Sequence, residues 1–99
     1  MARFDVYKNR SGGGYLLDVQ TDLISQLSTR VVVPLLPVDI APSPAKRLNP
    51  IFDVLGVDTA MLTQFMATVP VAELGSPVAS LHHKGDEVLA AVGFLHQGW

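Results

Sequence analysis

The last fifteen residues, GDEVLAAVGFLHQGW (Gly85–Trp99), carry the chain's clear helical pattern, and they limit what the rest can be. Asp86 and Glu87 place negative charge at the positive end of the helix dipole. Val88, Ala91, Val92, Leu95 and Trp99 recur at spacings of three and four, which puts them on one apolar side. Phe94 falls off that stripe, and a large aromatic on the outer face of a short helix needs another surface to cover it. The pattern predicts a helix that plugs a small β-domain, helps to pair two copies and offers its tip to a partner. The competing expectation is that Leu95 and Trp99 fold back into their own core.

Upstream, the chain breaks into short extended runs. Phe4 and Val6 alternate with Asp5 and Tyr7, a first strand with one buried face. Lys8–Gly14, KNRSGGG, reads as a hairpin loop; a phosphate-binding loop would need a helix after it, and Tyr15–Gln20 reads as a second strand instead. On that strand Tyr15, Leu17 and Val19 share one face, and Leu16, Asp18 and Gln20 the other. Thr21 and Asp22 offer helix-start side chains before Leu23 and Ile24, with Asp22 taken as the cap. Leu23 and Ile24 are adjacent, so one of them at least is expected near the surface. Ser25–Thr29 continues as a polar connection.

Arg30–Leu36, RVVVPLL, is β-branched and the strongest strand signal. Pro34 cannot donate a ladder hydrogen bond, which predicts an edge strand or a bulge there. The 37–50 stretch, with prolines at 37, 42, 44 and 50, reads as a loop crossing the surface, with Lys46 and Arg47 as its basic spot. Ile51–Leu55 and Ala60–Phe65 read as a hairpin about residues 56–59, Val69–Leu74 as a further strand, and Gly75–Lys84 as a connection. Many short strands followed by one helix predict a mainly β fold, a small open barrel capped by a helix.

Ninety-nine residues make one domain, here 48% hydrophobic and only 16% charged. A lone globular domain carries charge nearer ~25%, so the apolar surplus favours an oligomer or an obligate binding face. The net charge of −2 lacks the basic footprint of a nucleic-acid binder. The absence of cysteine removes disulfides and thiolate metal sites. With no apolar leader and no run of ~20 apolar residues, the expectation is a cytoplasmic protein without a membrane partner.

No complete catalytic set emerges. His82 and His83 are adjacent, lack a third ligand at metal spacing and read as exposed loop residues, so neither metal nor cofactor is expected. His96 reads as a polar interface contact. Asp18 and Asp22 are candidate paired carboxylates, but strand-plus-turn geometry does not guarantee that they converge. Ser25 lacks a nucleophile elbow. Arg10 or Arg30 with a histidine would suit ribonuclease chemistry, although no spacing selects it. The residues favour binding over catalysis.

LLDVQTDLISQLSTRVVVPL (16–35), MLTQFMATVPVAELGSPVASL (61–81) and the terminal GDEVLAAVGFLHQGW, together with FDVYKN (4–9), resemble the CcdB family of toxins from bacterial toxin–antitoxin modules. The likeness runs over nearly the whole chain, as a single CcdB-like domain spanning 1–99. It implies an SH3-like antiparallel β-barrel with a C-terminal helix, related to the MazF and Kid toxins, working as a homodimer without catalytic residues. Such toxins bind the DNA gyrase A subunit and trap the enzyme on cleaved DNA. A CcdA-like antitoxin neutralises them with a disordered segment, and the complex represses its own operon, reaching DNA only through the antitoxin.

By position, the resemblance places gyrase contacts at Leu23 and Ile24 and at Gly93, His96, Gln97, Gly98 and Trp99. The family pattern at the helix end is an asparagine, a phenylalanine and a terminal Trp-Gly-Ile. Here those places hold Gly93, His96 and Gln97-Gly98-Trp99, so only the glycine is kept. Antitoxin contacts are expected at Arg10, Lys46 and Arg47. The alternatives are an endoribonuclease of the MazF or Kid kind, and a decayed chromosomal relative that binds antitoxin but no longer poisons gyrase.

Overall fold

A computed structural model describes residues 2–24 and 26–98. Among these residues seven strands, β1 (Asp5–Lys8), β2 (Tyr15–Asp18), β3 (Thr29–Pro37), β4 (Ile51–Val54), β5 (Val57–Met61), β6 (Ala67–Pro70) and β7 (Ala79–Ser80), precede one α-helix, α1 (Gly85–Gln97). The strands run antiparallel in the order β4-β5-β3-β2-β1-β7, with β6 also paired to β3. They form a nearly closed barrel, more closed than the open one read from the strand pattern and of the SH3-like form that the resemblance implies.

The first hairpin is as read: Val6 lies opposite Leu17 and Lys8 opposite Tyr15. The glycine-rich loop returns through Gly14, whose φ is +75° and whose missing Cβ leaves room for the Leu35 carbonyl. Leu17 enters the core with Tyr15 and Val19 against it, beside Val6, Val33, Leu35, Phe52, Val54 and Met61. The expectation of a single buried face on β1 needs correction, because Tyr7 is as fully enclosed as Val6. Its face of the sheet also buries Asp18, Arg30 and Val32. Alternation reads charged residues as solvent-facing, and here two opposite charges enclose each other instead.

β3 is the centre of the sheet, not its edge. Its first half pairs with β6 through Val32, and its last residues pair with β5 from Leu35 onward. Pro34 stands at the changeover, and its carbonyl faces that side, accepting from the Leu62 N–H at 2.9 Å. The donor that proline lacks would point the same way, into the junction between two partners. The proline is thus tolerated inside the longest strand.

The second hairpin is tighter than read. β4 and β5 pair as far as Val54 and Val57, so the turn is Leu55-Gly56, both with positive φ (53° and 84°). β6 lies two residues earlier than the expected 69–74 strand, and Val71–Glu73 is a helical turn. The supposed connection 75–84 contains β7, which closes on β1. The 37–50 loop is irregular but tied down. Buried Asn49 accepts from the Ala45 N–H and donates to the Met61 carbonyl and the Gln64 side chain.

α1 follows the predicted pattern as far as Val92, whereas Leu95 on the same expected stripe is exposed and Phe94 off it is half-buried. Val88 and Ala91 are buried and Val92 packs against the core; burying the valine alone stabilises by about 1.5–3 kcal/mol. Gly85 lets the helix start lie against the Phe4 ring, where a Cβ would stand 2.8 Å from the ring edge. Asp86 and Glu87 occupy the first turn as expected. Gly98 closes the helix in a left-handed conformation, φ 81°, donating to the Phe94 carbonyl.

Candidate functional site

The turn after β2 presents the most exposed large apolar side chain among the described residues. Leu23 is 88% exposed, Ile24 40% and Leu27 47%. Three large aliphatic groups within five residues, none of them folded into the core, are unusual for a surface with no partner. Asp22–Ile24 forms a single helical turn. Its cap is Thr21, whose hydroxyl accepts from the Leu23 N–H at 3.3 Å. Asp22, read as the cap, instead accepts from the Arg3 N–H at 2.9 Å.

Beneath this turn lies a charged cluster with no solvent exposure at its centre. Arg30 Nε and Nη2 both reach Asp18 Oδ2, at 2.8 and 2.7 Å. Asp18 Oδ1 accepts from the Gln20 N–H at 3.0 Å. Arg30 Nη2 also donates to the Gln20 carbonyl at 3.4 Å and lies 3.6 Å from Asp22 Oδ1. Asp18 and Asp22 therefore do converge, but on an arginine and not on a substrate-sized opening. Burial pushes the Asp18 carboxyl above the usual carboxylate range despite the Arg30 hydrogen bond. Burial, then the Asp5 and Asp18 carboxylates, raise the Tyr7 phenol. Arg30, one of two arginines that ribonuclease chemistry would draw on, is enclosed and engaged here.

Gln20, readable from the sequence only as a polar-face residue of the second strand, ties this cluster to the turn. Its side-chain oxygen accepts from the Val31 N–H at 3.1 Å, and its amide nitrogen donates to the Ile24 carbonyl at 3.2 Å. The available signal was its place on the polar face of β2 with Asp18. Alternation alone could not show that this face is buried.

The end of α1 forms the second patch. Gly93 is half-buried, and His96, Gln97 and Gly98 are exposed. Leu95 is 38% exposed and so not sealed in the core. Trp99, like Ser25, lies outside the described residues. Among those described, no hydrogen bond or ion pair links this patch to the Leu23–Ile24 turn within one chain. Phe94 finds the cover its position demanded: the Arg47 guanidinium lies over its ring, 4.4 Å from the centroid. Arg47 thus joins the 37–50 loop to the helix, while Lys46 is exposed. Arg10 is exposed, its guanidinium fitted against Gly75 beside a cleft lined by Ser11, Leu16 and Glu73. His82 and His83 are exposed, as read.

The same fold recurs among solved structures. The fold is similar to that of an endoribonuclease in complex with its cognate antitoxin from a mycobacterial species, with TM-score 0.79 and 15% identity over 100% of this chain and 98% of that one. An endoribonuclease from a mycobacterial species gives 0.79 and 15% over 100% and 94%. The Mycobacterium tuberculosis toxin MazF-mt6 gives 0.73 and 15% over 90% and 92%. At such identity the likeness is one of fold. The sequence itself matches the CcdB protein family over residues 3–98, and the chain belongs to that family. It is a toxin of the type II toxin–antitoxin class.

Proposed function

We propose that this toxin acts by binding, and that its target is the A subunit of DNA gyrase, held on cleaved DNA. The observation that carries the reading is the Leu23–Ile24 turn, an exposed apolar projection on a chain of the CcdB family. Two copies would pair as a homodimer, a symmetric wedge suited to a two-fold target. Leu23 and Ile24 would act with Gly93, His96, Gln97, Gly98 and Trp99. Truncating an anchor at such an interface commonly costs about 2 kcal/mol or more. Gln97 stands where the family has tryptophan, which shifts weight to the turn and to Trp99. A CcdA-like antitoxin with a disordered segment would engage Arg10, Lys46 and Arg47 and carry the complex to operator DNA.

Calorimetric titration of the protein with the gyrase A subunit tests this. Leu23→Arg is expected to weaken binding at least about tenfold, or about 1.4 kcal/mol. Its effect on stability should stay within about 0.5 kcal/mol, because the side chain is exposed. No heat of binding to gyrase A, together with RNA cleavage that is lost in Arg10→Ala, would replace this reading with the endoribonuclease one.

A further inference from the structure

We infer that Gln20 is a positioning residue for the target-binding turn, holding Leu23 and Ile24 in place through a tether anchored on the buried Arg30–Asp18 pair. The inference rests on the reading of that turn as a binding element and extends it to a residue that does not touch the target. A helical turn of three residues cannot hold itself, because nucleating one fixes several dihedrals for one hydrogen bond. Its own support is slight. The Ile24 N–H meets the Thr21 carbonyl at 3.4 Å, the Thr21 hydroxyl accepts from the Leu23 N–H at 3.3 Å, and the Leu27 N–H donates to the Ile24 carbonyl at 3.2 Å.

The remaining ties come from below. Gln20 spans from the Val31 N–H on β3 to the Ile24 carbonyl, so its side chain joins the centre of the sheet to the far end of the turn. Its backbone is held on both sides, the N–H by Asp18 Oδ1 and the carbonyl by Arg30 Nη2. Asp22, within the turn, is held by the Arg3 N–H and lies beside Arg30. The exposed leucine is thus the tip of a turn tied to β3 through Gln20 and to the Arg3 N–H through Asp22. A preorganised projection loses less conformational freedom on binding than a mobile one, which gives the enclosed ion pair a use.

The experiment compares Gln20→Met, close in volume and without either hydrogen bond, with the wild type. Gln20→Glu is the second variant, keeping the acceptor for the Val31 N–H and losing the donor toward Ile24. Nitrogen-15 relaxation reads the turn directly. Order parameters at Leu23 and Ile24 are expected to fall from about 0.85 toward 0.6 or below, with β2 and β3 unchanged. Gyrase A affinity is expected to fall at least fivefold while antitoxin affinity holds. Unchanged order parameters at the turn in a folded variant would overturn the tether. So would an equal loss of order across the sheet. Leu23→Arg with undiminished gyrase affinity would overturn the gyrase reading separately, because the relaxation result does not involve the target.

Discussion

Asp18 and Arg30 form an enclosed pair beneath the exposed Leu23–Ile24 turn. Because burial outweighs the pull of Arg30, folded Asp18 holds its proton more firmly than the unfolded chain does. The stability that follows is complete below the unfolded value of about 3.9 and is lost as pH rises through the folded one. Asp18→Asn removes the titration and keeps an acceptor for the Gln20 N–H. The stability advantage of wild type over this variant should therefore narrow between about pH 4 and neutrality, as measured by urea unfolding at stepped pH. A gap that widened would mean that Arg30 dominates. At this scale the sequence was partly legible. At least one of Leu23 and Ile24 is expected near the surface and both are there, whereas the burial of Tyr7, Asp18 and Arg30 is not foreseen. Period-two alternation distinguishes faces, and it cannot tell water from an enclosed counter-charge.

The hairpins are where local chain geometry decides. Leu55 stands at φ 53° in a two-residue turn with Gly56, a conformation that costs a branched L-residue about 1–2 kcal/mol and that asparagine tolerates. Leu55→Asn is expected to stabilise the fold by about 1 kcal/mol, raising Tm by about 4–8 °C for a domain of this size. An unchanged melting curve would mean that the turn relaxes. Gly14→Ala should do the opposite, destabilising by more than about 1 kcal/mol, since φ is positive and the new methyl meets the Leu35 carbonyl. Thermal denaturation followed by circular dichroism measures both. Element type was well read for β1, β2, β3 and α1. Boundaries shifted where a turn could begin at either of two residues, as at 55–59 and 67–74. Pro34 misled because a proline's lost donor is judged against the usual two neighbours of a strand. Here one neighbour ends and another begins beside it.

The whole molecule combines an enclosed barrel core with the proposed binding elements at its margins: the 20–24 turn, the end of α1, and the 37–50 loop tied to the helix by Arg47 over Phe94. Removing Gly98 and Trp99 should abolish toxicity and leave the far-ultraviolet circular dichroism spectrum unchanged, since Val88 and Ala91 already dock the helix. Loss of that spectrum would assign the tail to the core. The barrel and its helix could be read from the sequence because each element announces its own period. The partner could not, because a surface records only that something covers it. The most direct test incubates the purified protein with gyrase, ATP and supercoiled DNA and measures cleaved DNA trapped on the enzyme. The expected result is an accumulation of cleaved DNA that Leu23→Arg prevents and the antitoxin reverses; no trapped cleavage at any toxin concentration would contradict it.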